Sequence, residues 1–524
     1  MTISDLLTLM GILLAIIAFV TERTREYVFL KMSKPTLWII LFSFLYIHFL
    51  LFYSWWSERF VFMQEFEFED FPLSSTWAYI ISIVTIFFFS WKIFWGNFPL
   101  SRKNNLLLYY KKLLLKNDIA FLAELVEKYH LDEIIEYLKK RKTIKIKEDT
   151  LPFLYSQEYD KQYNKIIKGR KLIYGGVIYG NIILNETFLD NVANINPYIF
   201  AKIIQQLNDI ELKDDDFVNR YLKLLMVNKN GNFFREIRNN QNLNDYDAYR
   251  IEEERPILYA LFNEVAVCSI NQAWRGVGEP AIIEMQEEAE KEYSALRESD
   301  REQDIDTIWT FRITIAIWYF DIMVRQSIVQ KVNDHMWMFY YYHFVKAIIA
   351  NMRDLPFPDS EMNRKSRNFD LIEMIFTKMM DWKKVIVKSK NDKLIKSVYD
   401  CMGQCIYELA ITDKLRDEDK NYLIDWVWEN LIKTSAPAAI GESTDNETTQ
   451  KVVEVGFEMF KQPSILFTPN SEYISDIDRE KHKKYLTALQ ILWSKKDNAG
   501  LTDYNDRVVL FKSNVIDKLL PNQE

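Results

Sequence analysis

Residues Thr36–Trp56 read TLWIILFSFLYIHFLLFYSWW, without one formal charge. Coiled as a helix at about 1.5 Å per residue, this stretch is long enough to cross the roughly 30 Å hydrocarbon core of a bilayer. A second stretch, Thr76–Trp95 (TWAYIISIVTIFFFSWKIFW), carries only Lys92, one turn from its end, where a long stem reaches the headgroups. Tryptophans bracket both, Trp38 against Trp55 and Trp56, and Trp77 against Trp91 and Trp95. An indole is an apolar ring with an N–H that wants a polar partner, so these six residues are expected at the two membrane interfaces. A shorter apolar run, Ile3–Val20, precedes them. The reading is three membrane helices, at about 3–20, 36–56 and 76–95, in a unit covering residues 1–99.

The first run does not read as a cleaved signal. Asp5 stands at its start, and the basic residues follow the apolar run instead of preceding it. Loop charges then orient the unit. The connection after the first run holds Arg23, Arg25, Lys31 and Lys34, and the chain after the third run begins with Arg102, Lys103, Lys111 and Lys112. The connection between the second and third holds one arginine and five acids. Basic loops stay inside, so the N-terminus is expected outside and the C-terminal part in the cytoplasm of a plasma or inner-membrane protein. His48 is the ionisable side chain deep in these spans and is a functional candidate by that position.

Glycine and proline number 13 each in 524 residues, about 2.5 %, where ordinary usage is roughly 7 % and 5 %. Few breakers favour long helices, and the expected fold class is all-α: a three-span N-terminal unit followed by a large multi-helix cytoplasmic domain, with stacked solenoid-like helical hairpins as one form of it. Charge is uneven. Residues 100–147 balance at +6, residues 1–99 at −2 and residues 148–524 at −12. The basic segment, 100–150, lies next to the membrane, and Arg102, Lys103, Lys111 and Lys112 are its expected contacts with anionic lipid. The acidic remainder disfavours nucleic acid as the main ligand.

Along that remainder, 151–434 is expected to be the main helical domain, 435–449 (from SAPAAIGESTDNETT) a linker, and 450–524 a set of C-terminal helices packed on the main domain. In the basic segment, Leu106, Tyr110 and Leu113 start an apolar stripe. It resumes after a break near Tyr129–His130, and KKRKTIKIKED is a charged turn with a short extended piece at Ile144 and Ile146. The cluster Gly175, Gly176 and Gly180 fits neither a P-loop nor G-x-G-x-x-G, and close helix packing or a bend explains it better. FFREIRNNQN reads as a polar turn, although Arg235 and Arg238 have the chemistry to hold an anion. WRGVGEPAIIEM reads as a helix ending at Gly276 and Gly278, with Pro280 opening the next, an exposed charged helix. The apolar stretch from Asp304 contains Arg312, Asp321 and Arg325, charges too costly at bilayer depth. It reads as a buried helix in which Asp321 and Arg325, four apart, pair.

Signatures for metal, nucleotide or nucleophilic chemistry are missing, and no cofactor, metal or catalytic residue is assigned. Cys268, Cys401 and Cys405 read as small buried hydrophobes. The expected function is a bacterial-type membrane protein, leaning non-enzymatic, whose helical domain binds a protein partner or senses a signal. One alternative is an oligomeric membrane effector or pore, with homo-oligomers, as in phage defence. Another is an enzyme of a motif-poor helical class.

Overall fold

The computed structural model describes residues 22–60, 74–149, 170–241, 251–297, 311–332, 337–354, 366–389, 392–433, 453–461, 476–494 and 505–520. Its regular structure is helical, with no strand among the described residues. The run 3–20, the acidic loop around Glu65 to Phe71 and the linker 435–449 lie outside them. Packing divides the chain into two units, Met1–Leu189 and Asp190–Glu524. The first unit takes in the basic segment as well as the apolar helices and runs on to Leu189.

In the first unit, α1 (Glu22–Lys31) and α2 (Lys34–Leu51) are separated by Ser33, extended at φ −71° and ψ 157°, whose side chain accepts from the Thr36 N–H. α2 gives way at Phe52 to α3 (Tyr53–Arg59), so the stretch read as one helix to Trp56 is interrupted, while the Phe52 N–H still reaches the His48 carbonyl. α4 is Ser74–Phe94. Ile47 and Leu50, late in α2, pack on Ala78, early in α4, with Trp77 and Ile81 beside them. The two helices are therefore antiparallel, with a small residue where they touch. Both are long and apolar enough to cross a membrane, and only 17 % and 11 % of their apolar windows is buried. A core helix would be covered on all sides.

A 3₁₀ turn, Leu100–Arg102, leads into α5 (Lys103–Leu115), which buries Leu106, Tyr109, Tyr110 and Leu113. Asn117, at φ 57°, turns the chain into α6 (Ile119–Asp149). α6 has neither the break expected at Tyr129–His130 nor the extended piece at 144–146. Lys, Arg and Glu are good helix formers, and two isoleucines are too short a pattern to oppose them. α7 (Arg170–Ile178) continues as a π turn, Tyr179–Ile183. It lies so close to α6 that a Cβ on Gly175 would stand 2.0 Å from the Glu133 carbonyl oxygen, and one on Gly176 2.8 Å from the Tyr137 ring. Close packing is the reason for the glycine pair.

α8 (Glu186–Ile195) spans the division. The second unit follows with α9 (Tyr198–Asp209), α10 (Asp215–Val227), α11 (Asn232–Gln241), α12 (Pro256–Phe262), α13 (Val265–Ile270) and α14 (Ala273–Glu290). Next come α15 (Arg312–Val329), α16 (Tyr340–Asn351), α17 (Arg367–Ser389), α18 (Asp392–Ile411) and α19 (Asp417–Ile432), then α20 (453–461), α21 (Asp476–Ser494) and α22 (Asn505–Phe511). Helices α10, α14, α16, α18 and α21 pack each on the next, and α11, α15, α17 and α19 do the same alongside them. All residues of α15 from Ile313 to Ile328 are buried, so this stretch is a core helix, as its charges required.

Two expectations are corrected here. Gly276, Gly278 and Pro280 lie inside α14, which does not end there. The glycines instead admit neighbours, Leu222 and Asn219 at Gly276 and the Tyr340 ring at Gly278. The helix also does not continue as an exposed charged rod. Glu284 and Glu288 are buried, and Arg297 folds back to the carbonyls of Ala289, Lys291 and Asn351, closing the ends of α14 and α16.

Candidate functional site

The first unit is built around Lys31, the last residue of α1, which is 2 % exposed. Its Nζ donates to the Ile93 carbonyl at 2.6 Å and to the Tyr129 hydroxyl at 3.2 Å. It also stands 4.4 Å from the Tyr129 ring centre and 5.1 Å from that of Tyr27. Ile93 lies in the last turn of α4, whose carbonyls are the negative end of the helix dipole. A buried ammonium is stable only when its donors and charge are answered, and here a helix terminus, a phenol and two ring faces answer them. Burial nevertheless holds Lys31 below the ordinary lysine range. The node joins α1, α4 and α6.

Behind it, Phe98 packs against Tyr27, Tyr129 and His130. His130 is 1 % exposed, with Nε2 2.9 Å from the Tyr110 hydroxyl and Nδ1 2.6 Å from Glu133. Tyr110 lies on α5, the other two on α6, and Tyr174 of α7 packs over the imidazole while donating to the Pro99 carbonyl. Burial pushes the Tyr110 phenol well above its usual range. This cluster is not visible in the sequence, because its members are spread from 27 to 174 and look like ordinary stripe residues.

Of the tryptophans expected at the membrane interfaces, Trp38, Trp55, Trp91 and Trp95 are exposed and Trp56 and Trp77 half-buried. His48 is exposed on α2, with its ring 4.6 Å from that of Phe52. Of the four basic residues expected at lipid, two are engaged within the unit. Arg102 Nε donates to the Met32 carbonyl at 3.3 Å, and Lys112 pairs with Glu26. Lys111 is exposed and Lys103 half-buried.

Arg235 and Arg238 sit on α11, so FFREIRNNQ is a helix with its apolar residues inward, not a polar turn. Arg235 Nε donates to the Asn230 carbonyl, at the rim of a cavity of about 100 Å³ lined also by Asn194, Asn228 and Asn232. Arg238 is not among its lining residues. The charged group that matters most locally lies between them. Glu236 is buried and accepts from the N–H groups of Ile257 at 3.0 Å and Leu258 at 2.9 Å, capping α12. Burial pushes its carboxyl up to about 7, against the pull of those N–H groups and of Arg255.

Asp321 and Arg325 do pair, at 2.7 Å and fully buried. The same Asp321 oxygen accepts from the Trp382 indole at 2.8 Å, Lys378 Nζ is 3.3 Å from the other, and Arg325 approaches Asp381 at 3.5 Å. Two acids, two bases and an indole make a neutral network that ties α15 to α17. Each charge faces a partner, which is the arrangement of a structural node. The three cysteines are buried, and burial pushes Cys268 up to about 12. No group of His, Cys, Asp and Glu suited to a metal occurs among the described residues.

No family model matches the chain, and no solved structure does. One curated protein is similar in part: the DNA-directed RNA polymerase subunit beta' of Plasmodium falciparum (isolate 3D7) is 30 % identical over 131 residues. The match covers 24 % of this chain and 22 % of that protein. So small a share establishes no common fold or activity.

Proposed function

We propose that this chain is a multi-pass plasma-membrane or inner-membrane protein with its N-terminus outside, a non-enzymatic scaffold or sensor whose acidic helical body binds a protein partner in the cytoplasm. The observation that carries it is the Lys31 node. It fastens the end of α4, a helix fit to cross a membrane, to α6 of the same unit, so a tilt of the apolar pair would be felt by α6. The body beyond is two rows of helices, each packed on the next, and this supports the solenoid-like reading and an extended partner surface. Purification from membranes followed by mass spectrometry of captured proteins tests it. A body that captures nothing specific while the protein turns over a substrate would sink it.

A second reading, an oligomeric membrane effector, is favoured by His48. An imidazole on the exposed side of α2 is costly against lipid, and another span or a second copy would relieve it. Cross-linking in membranes separates the two, since the effector reading requires a closed oligomer and flux across liposomes.

A further inference from the structure

α5 is apolar on two sides. One side, Leu106, Tyr109, Tyr110 and Leu113, is buried against α6. On the other, Leu108 is 66 % and Leu115 89 % exposed, and Leu100 just ahead of the helix is 42 % exposed. A surface helix of a water-soluble body carries polar residues there. The charged residues that accompany these leucines are all basic: Lys103, Lys111 and Lys116 flank them beside the neutral, exposed Asn104 and Asn105, and no acid occurs from Leu100 to Asn117.

From this we infer that the outer face of α5 lies in the headgroup layer of an anionic leaflet, with Leu108 and Leu115 inserted and Lys103, Lys111 and Lys116 at the lipid phosphates. This rests on the proposal that α2 and α4 cross a bilayer. Position argues for lipid over a protein partner. α4 ends at Phe94, so Leu100 is six residues away, within about 20 Å even if the chain is extended. Arg102 Nε holds the start of α5 to the Met32 carbonyl, two residues before α2 begins, and the Lys112–Glu26 pair holds its last turn to α1. α5 is thus tethered at the end where both apolar helices leave the proposed membrane. Trp91 and Trp95, both exposed, and Phe29 of α1, 55 % exposed, extend the apolar surface there. Leucines inserted between lysines are the composition of a helix that lies in an interface. Arg102 and Lys112 then serve mainly to orient α5, and Lys116 replaces them at the lipid.

The test uses the full chain in nanodiscs with a spin label on Leu115→Cys, the three native cysteines being buried. Collision with oxygen and with a water-soluble nickel complex is compared in discs of phosphatidylcholine alone and of phosphatidylcholine with phosphatidylserine. Labels on Phe42→Cys, exposed on α2, and Glu124→Cys, exposed on α6, are the references. In serine-containing discs, residue 115 is expected to lose nickel access relative to 124 and gain oxygen access, and Lys111→Glu with Lys116→Glu to restore the nickel access. A label at 115 as water-exposed as that at 124, with 42 inside the bilayer, overturns the inference and leaves the spans standing. A water-exposed label at 42 overturns the spans themselves. Protection at 115 that is indifferent to phosphatidylserine means that no anionic lipid holds the face, and spin–spin broadening between copies means that a second chain covers it; either overturns the inference.

Discussion

Lys31 Nζ and the Ile93 carbonyl meet at 2.6 Å across 62 residues of sequence, joining the helix before α2 to the last turn of α4. Replacing Lys31 with Met keeps most of the stem's volume but removes the donor to two oxygens and the charge facing two rings. A hydrogen bond from a charged group contributes about 1.5–3 kcal/mol, so Lys31→Met is expected to destabilise the first unit by about that much. Thermal unfolding of the full chain in nanodiscs reads it, and an unchanged transition would show the node to be idle.

The Asp321–Arg325 network predicts an asymmetry between single and double substitutions. Arg325→Leu leaves a buried carboxylate with only Lys378 and the Trp382 indole, and is expected to cost about 3–5 kcal/mol. Asp321→Leu with Arg325→Leu removes both charges and is expected to cost less than the sum of the two single changes. Chemical denaturation of the four proteins closes the cycle. Strict additivity would mean that the two side chains do not act as a pair.

What could be read in advance divides by the range over which the information is local. Apolar length and absence of charge exposed α2 and α4, and three punctuating charges marked α15 as a core helix, because each property sits within one helix. α11 and α14 depart from the sequence expectation because turn chemistry is a local preference that packing overrides. Phe233, Phe234 and Ile237 bury one face of a polar decapeptide, and the glycines of α14 answer to the Tyr340 ring and to Leu222, residues 62 and 54 positions away. The Lys31 and His130 clusters were not legible at all. Their members come from five helices, and nothing in a single sequence links them.

Glu236 sets a pH dependence in the second unit. Burial holds its carboxyl at about 7 in the folded protein against an ordinary 4.5 in the unfolded chain, so the folded state holds the proton more tightly. Stability is therefore lost as pH rises from about 4.5 through about 7, by on the order of 3 kcal/mol from this group. Glu236→Gln keeps an oxygen for the N–H groups of Ile257 and Leu258 and should flatten that part of the profile. Denaturant midpoints across this range check it, and equal slopes in both proteins would remove Glu236 as the cause.

The glycine cluster separates packing from flexibility, because its three members differ in what surrounds them. A Cβ at Gly175 would meet backbone, the Glu133 carbonyl at 2.0 Å, which cannot swing aside, so α6 and α7 would have to part. At Gly176 it would meet the Tyr137 ring at 2.8 Å, a side chain and not backbone, and at Gly180 nothing lies within 4 Å. Gly175→Ala is expected to cost at least the about 1–3 kcal/mol of an overpacked core, and Gly176→Ala less. Gly180→Ala removes unfolded-chain freedom without a clash and is expected to stabilise by about 0.4–1 kcal/mol. The order of the three melting temperatures is the test. If the cluster were a hinge, Gly180→Ala would be as harmful as Gly175→Ala. If the helices instead touch as described, only the first two substitutions lower the transition, and Gly175→Ala also disturbs Glu133 and with it the contact to His130.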